Sequence, residues 1–130
     1  MTYTNNMNTI SIPQVVAETT PYIKAVNAIW DEETQIEFKN YIGANPYKGD
    51  IIPHTGGIRK IRWQSGGHGK RGGARIIYYL YNENHPIYLL FAYPKNVQVN
   101  LSETETKLLK SAVAKLKEVF RTKEESSHEK

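Results

Sequence analysis

Lys60 and Arg62 stand two residues apart in the run 58–63, and Arg75 opens the next apolar run. Side chains two apart on a strand share a face, so two fixed cations point the same way, and a third can join them from a neighbouring strand. Such a group can bind an anion such as a phosphate, with guanidinium forks suited to its oxygens. The window 51–82 carries six basic residues, Arg59, Lys60, Arg62, Lys70, Arg71 and Arg75, and no acidic one. The whole chain has 17 basic and 13 acidic residues, which leaves 11 against 13 outside the window and concentrates the net charge of +4 within it. Concentrated positive charge is the electrostatic footprint of a polyanion, most often nucleic acid. With no carboxylate nearby in sequence, the three cations repel one another unless an anion visits.

Other motifs weigh less. Gly67-His68-Gly69-Lys70-Arg71-Gly72 formally matches G-x-G-x-x-G, but a strand rather than a helix follows it, which rejects a dinucleotide fold. Arg71 stands where a Walker A loop needs Ser or Thr. The loop reads as a long glycine-rich hairpin connection that also offers phosphate contacts through Lys70 and Arg71. Tyr93, at a strand end, can stack on a base or donate to a phosphate. His54 and His68 are lone loop histidines. The chain has no cysteine, so disulfides and thiolate metal sites are absent, which fits a reducing cytoplasm. No His-x3-His spacing occurs, and no metal site is expected. No apolar run reaches 18 residues, and the polar N-terminal stretch lacks a signal-peptide pattern, so no membrane association is expected.

The elements that position these residues are legible in outline. Residues 1–9 read as a disordered N-terminus, 10–120 as one domain, and 121–130 as a disordered charged tail. Residues 10–18 suggest a first strand, confined by Pro13 to an edge or bend. Thr20 and Pro21 suit the start of a helix carrying Ile23, Val26, Ile29 and Trp30, and Asp31 caps a second helix with Phe38, Tyr41 and Ile42 inward. A loop is expected over 47–57. In 58–63, Ile61 and Trp63 face one way and Lys60 and Arg62 the other; 75–81 and 87–93 are two further strands joined by a turn at 82–86. Ser102-Glu103-Thr104-Glu105 is a capping box before a stripe of Leu108, Leu109, Ala112, Val113, Leu116, Val119 and Phe120. The expected class is α+β, a mainly antiparallel sheet with its helices against one face.

Thr55-Gly56-Gly57-Ile58-Arg59-Lys60-Ile61-Arg62-Trp63 and Gly69-Lys70-Arg71-Gly72-Gly73-Ala74-Arg75-Ile76-Ile77-Tyr78-Tyr79, preceded by Asn45-Pro46 and Lys48-Gly49-Asp50, closely resemble the RelE superfamily. Leu89-Leu90, Tyr93, Lys95-Asn96 and the helix start at Leu101 fit the same pattern, which is most similar to the HigB branch of type II toxin–antitoxin toxins. The resemblance implies a RelE-like fold with two N-terminal helices and one C-terminal helix. It also implies a cytoplasmic, ribosome-dependent endoribonuclease that cleaves mRNA in the decoding site, without a metal or other cofactor. The implied partners are a cognate HigA-like antitoxin with a helix-turn-helix domain, the ribosome and mRNA. By position Lys60 and Arg62 match the family's Lys-x-Lys pair, and Arg75 matches its strand-leading arginine. The family's next arginine falls on Asn96, with Lys95 one residue before it, and a C-terminal tyrosine of the pattern has no match, so the general acid stays unassigned.

The residues expected to serve catalysis are therefore Lys60, Arg62, Arg75, Lys95 and Tyr93, and those expected to bind RNA or ribosome are Arg59, Lys70, Arg71 and His68. Lys60 or Arg62 would lie near the ribose 2′-oxygen, and Arg75 would hold the phosphate. Two other classes fit the resemblance less well: a ParE-like gyrase inhibitor without catalysis, and a non-catalytic RNA-binding module.

Overall fold

Strand alternation divides the apolar residues of this chain between two faces of one sheet, and each face acquires its own helical cover. The computed structural model describes residues 13–65, 72–97 and 101–128. In chain order the elements are β1 (Val16–Glu18), α1 (Thr20–Asn27), α2 (Glu32–Ala44), β2 (Asp50–Ile51), β3 (Ile58–Trp63), β4 (Ala74–Tyr79), β5 (Ile87–Pro94) and α3 (Glu103–His128). The five strands lie in the order β1-β5-β4-β3-β2, antiparallel except for the parallel pair of β1 and β5. The α+β class and the count of two N-terminal helices and one C-terminal helix are as the sequence suggested.

The first face is covered by α1 and α2. Tyr22, Val26, Trp30, Phe38 and Ile42 pack there on Ile61, Ile76, Tyr78, Ile87, Leu89 and Ala92. Each fully buried Val, Ile, Leu or Phe side chain among them contributes about 1.5–3 kcal/mol relative to exposure. The opposite face is covered by α3, through Val113 and Phe120 on Ile58, Ile77 and Tyr79. The expectation of helices on a single face is thus corrected. Strands buried on both sides need a second cover, and Ile77 and Tyr79 alternate with Ile76 and Tyr78, so β4 is apolar on both faces.

Several local boundaries also differ from expectation. Strand pairing begins only at Val16, with residues 10–12 outside the described part and Pro13 lacking an N–H to give to a ladder. The cap of α1 is Thr19, one residue before Thr20: its Oγ1 accepts from the Tyr22 amide and donates to the Leu89 carbonyl at 2.9 Å. Asp31 caps α2 as expected, accepting from the Thr34 amide at 2.9 Å. Trp30 lies in the link between the helices rather than in α1. Within the expected 47–57 loop, Asp50 and Ile51 form the edge strand β2.

The charged tail is corrected too: α3 continues through 121–128. Its end is pinned by Glu124, whose carboxylate takes hydrogen bonds from His85 (3.0 Å) and Asn82 (3.4 Å) of the β4–β5 turn. Of the expected α3 stripe, Leu109, Val113, Leu116 and Phe120 meet the sheet, whereas Leu108 and Val119 are exposed. Among the described residues no helix is long and apolar enough to cross a membrane.

Candidate nucleic-acid-cleavage site

The cover on the second face is incomplete. From Phe120 against Tyr81, His85 and Tyr88 near the turn, α3 runs back to Leu109 beside Leu90 and Tyr93, and among the described residues it leaves the far ends of β3 and β4 uncovered. There Lys60, Arg62 and Arg75 line a cleft of about 270 Å3 together with Asp50 and Ile61. The antiparallel register explains the gathering: Arg62 lies opposite Arg75, and Asp50 lies opposite Lys60. Ile61 and Trp63 turn to the other face, where Trp63 stacks among Trp30, Phe38 and Tyr41 at centroid separations of 5.3, 5.4 and 5.9 Å. Burying that aromatic side fixes which way β3 faces, since a one-residue slip would invert it.

Asp50 is the residue that the sequence argument missed. It lies just outside the acid-free window, distant from the cations in sequence, and β2 folding back against β3 brings it to the same cleft. Counting the register back from the 52–57 turn would have found it. A small polar scaffold holds β2 in place. The Tyr78 hydroxyl donates to the Pro46 carbonyl and accepts from the Gly49 amide, both at 2.8 Å. Burial pushes the Tyr78 hydroxyl above its ordinary pKa, so it keeps the proton it donates. Gly49 permits this close approach, because a Cβ there would stand 2.6 Å from the Tyr78 hydroxyl. The turn itself uses positive φ at His54, Gly56 and Gly57 (67°, 82° and 112°), which places His54 at an exposed corner outside the cleft lining.

The remaining expected residues divide. Arg59 is on the opposite face of β3, where its guanidinium donates to the Gly49 carbonyl at 2.7 Å and lies over the Tyr47 ring at 5.4 Å. Tyr93 pairs in register with Arg75 but lines an adjoining apolar groove of about 260 Å3 with Phe91, Leu90 and Leu108. Burial, and secondarily the Glu105 carboxylate, raise the Tyr93 pKa, so its hydroxyl is a proton donor at neutral pH. A bulge at Leu90 turns both Leu90 and Phe91 toward that groove, since Ile77 pairs with Phe91 while Tyr78 pairs with Leu89. Lys95 is separate: it lines a depression with Ala28, Ile29, Gly72 and Gly73, not the cleft. His68, Lys70 and Arg71 lie outside the described residues.

No ion pair within 4 Å joins Lys60, Arg62 or Arg75 to a carboxylate among the described residues, whose ion pairs are Lys39–Glu18, His85–Glu124 and Arg121 with Glu118 and Glu125. Nor does any described group of three or more His, Cys, Asp or Glu side chains have the arrangement to hold a metal ion. The cleft can receive a phosphate between several donors. A family model described as the RelE toxin of the RelE / RelB toxin–antitoxin system matches residues 47–127, a span that includes β2 through β5 and nearly all of α3. The chain belongs to the RelE toxin family and is the toxin of a toxin–antitoxin pair.

Proposed function

We propose that this toxin is a ribosome-dependent endoribonuclease that cleaves mRNA in the decoding site and so stops translation. The observation that carries the reading is the convergence of Lys60, Arg62 and Arg75 on one open cleft of the sheet. The reaction is attack of a ribose 2′-hydroxyl on the adjacent phosphorus, with departure of the 5′-oxygen and formation of a cyclic phosphate. Arg75 and Arg62 bracket the phosphate, and guanidinium forks suit its oxygens bidentately. Lys60 adds a compact charge for the phosphorane, whose extra negative charge develops only in the transition state. These residues supply the electrostatics without a metal ligand set.

Lys70 and Arg71 contribute sequence-independent contacts to RNA backbone. The antitoxin partner is a HigA-like helix-turn-helix protein, and its inhibitory segment competes for the basic face. Brief expression followed by mapping of message 5′ ends tests the reading. New ends inside translated frames are expected, and they should vanish with Arg75→Ala at equal protein level. Intact messages accompanied by arrest of DNA replication would overturn it in favour of gyrase inhibition.

A further inference from the structure

Transesterification needs a group to take the 2′-hydroxyl proton, and the cations of the cleft are poorly suited to it. An arginine guanidinium has no acceptor and does not deprotonate in proteins, and a lysine ammonium has three donors and no lone pair. Among the described residues that line the cleft, Asp50, Lys60, Ile61, Arg62 and Arg75, only Asp50 has a side chain that carries an acceptor. It is exposed, lies opposite Lys60 in register, and makes no ion pair within 4 Å among the described residues, so its oxygens are open to a ligand. Its strand is held by the Tyr78 and Arg59 bonds to 46–49.

We infer that Asp50 is the general base of the cleft, accepting the 2′-hydroxyl proton while Lys60, Arg62 and Arg75 hold the phosphate. This rests on the endoribonuclease reading and adds a role that reading leaves unassigned. In the step, the 2′-O–H proton passes to an Asp50 Oδ as the 2′-O–P bond forms. The P–O5′ bond breaks, and the 5′-oxygen takes a proton from an acid in the cleft or from water, giving a 2′,3′-cyclic phosphate and a 5′-hydroxyl. Asp50 then returns its proton to solvent. The charged and titratable groups around it are Lys60, Arg62 and Arg75 in the cleft, with Arg59 and Tyr78 behind its strand.

The test compares full-length wild type, Asp50→Asn and Asp50→Glu on ribosomes programmed with a defined message, as single-turnover cleavage across pH. General-base assistance is worth about 100- to 10,000-fold, so Asp50→Asn should lose that much rate. Ribosome binding should be unchanged or tighter, because a negative charge has been removed from a phosphate site. The decline of rate toward acid pH should disappear with Asn and persist with Glu, which keeps a base and should recover at least tenfold over Asn. Circular dichroism should show all three folded, since the side chain is exposed. Wild-type cleavage matched by Asp50→Asn within threefold, or slowed with its acid decline intact, would overturn Asp50 as base and leave the endoribonuclease reading standing. Ribosome-bound wild type that cuts no message would overturn both.

Discussion

Arg62 and Arg75 are register partners on β3 and β4, two cations set directly opposite each other across one ladder. Like charges so placed destabilise a sheet, by up to about 1 kcal/mol on the scale of cross-strand pairs. A fold that keeps such a pair at the floor of an open cleft has the arrangement an anion would relieve. Arg75→Gln should therefore raise the urea midpoint slightly or leave it unchanged while abolishing growth arrest. The stability gap between variant and wild type should narrow as salt is added, because salt screens the repulsion. A variant clearly less stable than wild type at low salt would show that Arg75 serves the fold.

Tyr78 should matter far more to stability. Its buried hydroxyl joins the Pro46 carbonyl to the Gly49 amide, and Tyr78→Phe leaves both without their partner. The expected cost is about 1–3 kcal/mol, read from the denaturant midpoint at unchanged slope. Faster hydrogen exchange at the Gly49 amide should accompany it. Cleavage should also slow, because Asp50 follows Gly49 directly. A variant as stable as wild type would show that water replaces the hydroxyl without loss.

Alkaline pH should unfold the protein through its buried tyrosines. Burial pushes Tyr79 up to about 12 and raises Tyr22 and Tyr78 as well. Unfolded tyrosines ionise near about 10, so above that pH the native state binds more protons than the unfolded chain. The stabilisation is complete below about pH 10 and is lost as pH rises through the folded values. Denaturant midpoints should therefore fall steadily between about pH 10 and 12, and Tyr79→Phe should flatten part of the fall. A midpoint independent of pH in that range would contradict the burial of these hydroxyls.

The end of α3 should be a stabilising element and not a dispensable tail. His85 stacks on Phe120 at 4.4 Å and bonds Glu124 at 3.0 Å, so the last turns close the second core. Removing residues 121–130 should lower stability by about 1 kcal/mol, on the scale of one lost hydrogen-bonded contact. Phe120→Ala should cost about 3–5 kcal/mol through the cavity it leaves. A truncated chain with an unchanged melting temperature would support the disordered reading of the tail.

The sequence by itself determined what depends on neighbours along the chain. The alternation in 58–63 separated Lys60 and Arg62 from Ile61 and Trp63, the Asp31 cap set α2, and the charge count located the basic segment. Those signals are local, because a side chain's face follows from its position in a period of 2 or 3.6 residues. Only the tertiary structure decided what depends on pairing between distant segments. The placement of α3 on the second face followed from β4 being apolar on both sides, so the stripe in 108–120 could not choose its face alone. Asp50 joined the cations because a two-residue strand, too short to carry a periodic signal, pairs back across the 52–57 turn. Lys95 lies outside the cleft for the same reason: register and strand ends, rather than residue type, decide which cations share a surface.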